Sequence, residues 1–241
     1  MLTDVNRAAR RRALLIACIA GVIVFVLWNI PQISQAILYP FHLFVTYVHE
    51  AGHGTMALLT GGHFLGFEIF ADGSGQALTA GGSRLLILPA GYLGAALFGA
   101  VLFYLTNTGR YSRSISIALG IGLLIFSIIF GRFSITAFVV GAAFAAVLIV
   151  IGWKASRDIN ILVLNILAIL TALNAVLDLF FLVNNSTAAL GDVRNDAAAF
   201  SAGVFPLIPG AVWALLWALL AITMLGLAIW FSVIHPMRRR D

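Results

Sequence analysis

Long apolar stretches separated by short polar breaks run through almost the whole chain. Windows of the roughly 17–25 apolar residues that a bilayer-crossing helix needs fall near 13–30, 36–60, 84–106, 114–131, 133–152, 159–183 and 211–234. The pattern predicts an all-α polytopic membrane protein with six or seven transmembrane helices. The count turns on two places. Only Gly131-Arg132 separates the fourth stretch from the fifth. The first stretch follows an arginine-rich start and precedes Ser34-Gln35-Ala36, a small-x-small pattern of the kind found at signal-peptide cleavage sites. Its apolar run exceeds the roughly 7–15-residue core of a signal peptide, so it reads as a retained signal anchor. One segment breaks the helical pattern. Phe64 to Phe70 is aromatic and β-rich, Asp72-Gly73 is a hairpin-turn signal and Gln76 to Thr79 can pair back. A short β-hairpin at the membrane face is expected after the second helix.

Composition removes the soluble alternatives. Hydrophobic residues make up 62% of the 241 and charged residues 10%, with a mean hydropathy of +1.06. A soluble domain carries about 25% charged residues, so the solvent for this surface is lipid. The apolar stretches follow one another too closely for a separate soluble domain, and residues 1–241 read as a single integral membrane domain. The formal charge of +5 comes largely from Arg7, Arg10, Arg11 and Arg12 and from Arg238, Arg239 and Arg240. Such flanking clusters set topology or touch anionic headgroups. They come with no folded basic surface for nucleic acid. Cys18 is the one cysteine, which excludes an internal disulfide and a cysteine zinc site.

The first arginine cluster places the N-terminus in the cytoplasm by the positive-inside rule. The second helix then runs inward and the 61–83 loop is cytoplasmic. Seven spans would leave Arg238 to Arg240 outside, against the same rule; six would not.

The second stretch contains His49-Glu50-Ala51-Gly52-His53, an H-E-x-x-H sequence. Residues four apart on a helix share a face. His49 and His53 can therefore offer imidazole nitrogens to one zinc ion, with Glu50 beside them as a general base. The setting strengthens the reading. Three ionisable side chains inside an apolar helix cost at least about 2.5–3.5 kcal/mol for each charged form, and a metal supplies the compensating partner.

A catalytic zinc needs a third protein ligand. Asp178 lies well inside the sixth stretch, at a depth similar to His53 when both helices run in the same direction, and is the expected ligand. Asp196, on the loop before the last stretch, is the alternative, although a loop aspartate at a helix start is more often an N-cap. His42 and His63 are weaker candidates. Asn174, one turn before Asp178, could support its carboxylate or stabilise an oxyanion, or simply join two helices. Gly91, Ala95 and Gly99 form a small-x-x-x-small face expected to receive a neighbouring helix.

Taken together, His49 to His53, Gly61-Gly62, Gly73-Ser74-Gly75, Pro89-Ala90-Gly91-Tyr92-Leu93-Gly94 and Asn195-Asp196-Ala197 resemble the site-2 protease family of intramembrane zinc metallopeptidases, closest to its compact B-type branch. The resemblance covers about residues 40 to 220. It implies a zinc site in a helical core near the cytoplasmic side, His49 and His53 as ligands, and Glu50 as base. It also implies membrane-anchored protein substrates and a bacterial plasma membrane. Better-studied members carry an Asn-Pro…Asp-Gly element that this chain lacks around Asp178. A catalytically inactive zinc-binding scaffold is the alternative function, and a small transporter using the intramembrane His, Glu and Asp is a third; no internal repeat favours the latter.

Overall fold

The computed structural model describes residues 2–108, 111–184, 189–190 and 193–235. Seven long helices appear where the apolar stretches predict them: α1 (Leu2–Trp28), α2 (Pro31–Leu59), α3 (Arg84–Thr108), α4 (Ser112–Phe126), α5 (Ile135–Lys154), α6 (Arg157–Asn184) and, after the short α7 (Asp196–Gly203), α8 (Gly210–Ile229). π-Helical turns prolong α4 through Ser127–Gly131 and α8 through Trp230–Ile234. Among the described residues, five segments are long and apolar enough to cross a membrane: Arg84–Thr108, Ser112–Gly131, Ile135–Lys154, Arg157–Asn184 and Gly210–Ile234. The tight α4–α5 joint is real. Arg132 to Ser134 complete it, and the Ser134 hydroxyl caps α5 by accepting from the Ala137 N–H.

Helix directions follow from which small residues meet. α2 and α3 run antiparallel, and a Cβ placed on Gly52 would lie 2.3 Å from the Ala90 carbonyl oxygen. α3 and α6 are antiparallel as well. Gly99 faces Ala168 and Ala172, and nearer the other end the buried Asn107 donates to Asn165 at 2.7 Å. Gly120 and Gly152 let α4 and α5 pack in the same way. The bundle thus has one end where α2 finishes and α3 begins, and an opposite end where α3 gives way to α4 and α5 to α6.

The first helix departs from the expected alternation. Arg12 forms an ion pair with Asp158, the second residue of α6. Seven successive crossings would put these residues at opposite ends of the bundle. Ala13, Ala17, Ala20 and Val24 of α1 are buried, and α1 packs against α6. α1 and α2 are joined through Asn29 and Ile30. Arg238 to Arg240 lie outside the described residues.

The hairpin forms as expected, with β1 (His63–Ile69) antiparallel to β2 (Gly75–Ala80). It does not lie flat at the membrane face. Its tip folds back along α2: the Tyr39 hydroxyl donates to the Ala71 carbonyl at 2.8 Å and Thr46 to Gly73 at 2.6 Å. At 1.5 Å per residue, Thr46 is about 20 Å from the end of α2, so the hairpin enters the bundle. Its buried side chains explain this. Phe64, Phe67 and Ile69 leave little surface exposed, and Phe64 and Phe67 join Tyr47, Phe126 and Phe130 in one aromatic cluster. Gly54 gives the Phe64 ring its place on α2, where a Cβ would come within 2.3 Å of it.

Tyr47 also fixes α2 to the π-turn of α4. Its hydroxyl pairs with the Ser127 hydroxyl at 2.8 Å, and Ser127 donates to the Leu123 carbonyl at 2.7 Å. A double-mutant cycle with Tyr47→Phe and Ser127→Ala should give a coupling of about 0.6 kcal/mol, the average for such bonds between membrane helices. Unfolding in mixed micelles measures it, and a coupling indistinguishable from zero would show that the two helices are not joined there.

Candidate metal centre

α2 delivers both histidines to one place, as their spacing requires. Their Nε2 atoms are 3.0 Å apart. The third partner comes from α7. Asp196 Oδ2 is 3.2 Å from His49 Nε2 and 3.2 Å from His53 Nε2. His49, His53 and Asp196 are the metal-capable group of three among the described residues.

The geometry suits zinc. Bonds of about 2.0–2.2 Å in a tetrahedral site place neighbouring donor atoms roughly 3.3 Å apart, close to the three separations here. The tautomer is also set. His53 Nδ1 is 2.7 Å from the Ile87 carbonyl, which can only accept, so Nδ1 carries the proton and the neutral ring turns a lone pair on Nε2 toward the centre. A backbone carbonyl holding the far nitrogen is the usual support of a metal-binding imidazole. The Tyr92 ring meets His49 edge-on with centroids 4.4 Å apart, fixing the other ring. At Asp196, desolvation opposes ionisation. Protons on the imidazoles outweigh it when no ion is bound, through the charge of His53 and then the hydrogen bonds from both rings, and hold the carboxyl below the ordinary carboxylate range; a bound cation would take their place. The donor set is thus ready for a cation.

Gly91 supplies the space. A Cβ built on it would stand 2.4 Å from both Nε2 atoms, where an ion or its water would have to sit. Sequence reasoning grouped Gly91 with Ala95 and Gly99 as one packing face. In the structure Gly99 does receive α6, whereas Gly91 faces the histidines.

Glu50 is buried on α2, and a Cβ on Gly75 would approach its Oε1 to 2.6 Å, so the start of β2 lies directly over the carboxylate. Asp178 is not brought into the cluster. It occupies an exposed position on α6, within electrostatic reach of His49 and His42 but not hydrogen-bonded to either imidazole. The depth argument for it holds, since α2 and α6 run in parallel. Parallel direction is not contact: the donor atoms that lie within 4.8 Å of one another are those of His49, His53 and Asp196. The capping argument against Asp196 fails on its neighbour: Asn195 caps α7 by accepting from the Ala198 N–H at 2.9 Å, leaving Asp196 free to turn inward. Asn174 is buried on α6 outside the cluster's hydrogen bonds. His42 faces the hairpin tip at Gly73, and His63 is exposed at the start of β1.

A family model described as Peptidase M50B-like matches residues 15–228. The chain belongs to this family. The resemblance to the compact branch of the site-2 proteases is thereby established, and with it membership of a family of intramembrane metallopeptidases. No curated protein and no solved structure matches the chain.

Metal content of the detergent-purified protein tests the donor set. Asp196→Ala should lose zinc on dialysis while Asp178→Ala keeps it; the opposite result would restore Asp178 as the ligand. Gly91→Ala should fold, with unchanged helical circular dichroism, and yet bind zinc at least about tenfold more weakly, the lower bound for disturbing the surroundings of a metal ligand. Full zinc occupancy in Gly91→Ala would show that the space is not needed.

Proposed function

We propose that this M50B-like protein is a zinc endopeptidase that hydrolyses peptide bonds in or near membrane segments of its substrates. His49, His53 and Asp196 would hold the ion, and the whole chain would act as one membrane-embedded unit. The observation that carries the reading is the position of Glu50: a buried carboxylate, adjacent in sequence to one ligand, beside a three-donor cluster inside an apolar bundle. A zinc ion bound there would polarise a substrate carbonyl and lower the pKa of a bound water toward neutrality.

The remaining work falls to the chain's own side chains. Glu50 accepts the proton of the attacking water and returns it to the leaving amine, as general acid–base chemistry requires. β2 closes over Glu50 and keeps bulk water from its carboxylate, where charge interactions are strongest in the low-dielectric interior. Ile87 and Tyr92 hold the imidazoles in one orientation, so little rearrangement accompanies the reaction. Gly91 keeps the reacting position free of side chain.

Glu50→Gln separates catalysis from metal binding. It should reduce cleavage of a membrane-anchored reporter by about 100- to 10,000-fold, the usual contribution of a general base, with zinc content nearly unchanged. Cleavage at the wild-type rate in this variant would sink the peptidase mechanism. Zinc-bound but inactive wild-type protein would point instead to a scaffold.

A further inference from the structure

Far from the metal centre, at the opposite end of the bundle, three helix termini meet. α4 begins there, α5 ends and α6 begins. The Ser112 hydroxyl donates to the Arg157 carbonyl at 3.4 Å, joining the start of α4 to the start of α6. The Arg113 carbonyl lies 2.9 Å from where a Gly152 Cβ would stand, so α4 also touches the end of α5. Lys154 is in the last turn of α5, and Arg157 is the first residue of α6. Three cations from three helices are thus gathered at one corner. The nearby carboxylate of Asp158 is engaged by Arg12. Among the described residues, none of Arg113, Lys154 and Arg157 forms an ion pair.

Lys154 alone would need no ligand, because a cation in a last turn complements the helix dipole. Arg113 and Arg157 are placed the other way. Both stand in the first turn of their helices, where the dipole is positive and a cation is unfavourable unless an anion accompanies it. No side chain caps α4, so its first-turn N–H groups add to the same field. Unused donors are present as well. Arg113 gives one N–H to the Ala155 carbonyl at 2.7 Å, which fixes a guanidinium that has five, and the residue stays exposed. The Arg157 Nε is buried with no hydrogen-bond partner, although buried donors are normally matched. The corner calls for an anion with several acceptor oxygens.

Its surroundings say which anion. Tyr111 and Trp153, 71% and 76% exposed, adjoin the cations at that end, as aromatic residues at headgroup level do. Lys154, Val150 and Val147 share one face of α5, and both valines are exposed. Apolar surface therefore leads from the cations toward the middle of the span. We infer that Arg113, Lys154 and Arg157 form a binding site for the phosphate headgroup of an anionic phospholipid, with an acyl chain lying along Val150 and Val147. A zwitterionic headgroup brings its own cation and fits less well. The site is independent of the peptidase reading, since it needs neither the metal nor Glu50.

Native mass spectrometry of the full chain, delipidated in detergent, tests this with phosphatidylglycerol and phosphatidylethanolamine of identical acyl chains. Phosphatidylglycerol should bind at least about tenfold more tightly, given three cations that each contribute about fivefold near an anionic headgroup. Equal binding of the two lipids by the unaltered chain overturns the proposal, whatever the variants do. Arg113→Gln and Lys154→Gln, both at exposed positions, should each cut the preference about fivefold. Arg132→Gln, in the α4–α5 joint at the other end of the bundle, should leave it intact. A preference that survives Arg113→Gln and Lys154→Gln together, or falls equally in Arg132→Gln, overturns the assignment to this corner. Inorganic phosphate in tenfold excess should not displace the lipid. Full displacement would make the corner a site for the free anion and overturn the lipid.

Discussion

Everything at the centre of this molecule depends on how closely α2 approaches α3. Gly52 and Gly94 carry no side chain where the two helices meet, and the Ala90 carbonyl occupies the place a Gly52 Cβ would need. Backbone thereby rests on backbone. In lipid, where apolar surface gives no net drive for helices to associate, such close packing is a main source of attraction. The approach also brings the Ile87 carbonyl within reach of His53 and sets Gly91 opposite both imidazoles. One contact thus provides packing, tautomer control and room for an ion.

The rest of the bundle builds outward from that contact. α3 is shared, with Gly52 of α2 on one side and Ala168 and Ala172 of α6 on another. The hairpin is fastened to α2 at Tyr39 and Thr46 and to the α4 π-turn through its phenylalanines. It is a fixed wall of the site. α7, capped by its own asparagine, is the element that carries a carboxylate inward from a connection between membrane helices.

Much of this was legible in the sequence, for a physical reason. Apolar length is a one-dimensional property, so the stretch predicted at 84–106 emerges as Arg84–Thr108 and that at 159–183 as Arg157–Asn184. The H-E-x-x-H spacing is local to one helix turn, and His49 and His53 meet as it requires. Depth could be counted along the chain, and α2 and α6 do run in the same direction, both antiparallel to α3. Which helix stands between which others is a lateral property that periodicity does not encode. That is why Asp196, not Asp178, reaches the imidazoles, and why Gly91 and Gly99, eight residues apart on one helix, serve different neighbours. Asn195 held a usable signal: an N-cap residue placed directly before an aspartate leaves that aspartate free. The inward path of the hairpin could be suspected from Phe64 and Phe67, too apolar for a water-facing loop.

Gly91 carries a consequence for how the protein can change over time. Replacing a helical glycine with alanine ordinarily stabilises the helix by roughly 0.5–1 kcal/mol, and such exchanges are among the commonest ways a protein becomes sturdier. At positions 52 and 91 that route is closed, at one by a carbonyl and at the other by two imidazoles. The most constrained part of the bundle must therefore keep its weakest helix formers. Drift toward greater robustness has to occur elsewhere, in the lipid-facing helices, while the centre trades intrinsic helix strength for the close approach of α3 to the two imidazoles.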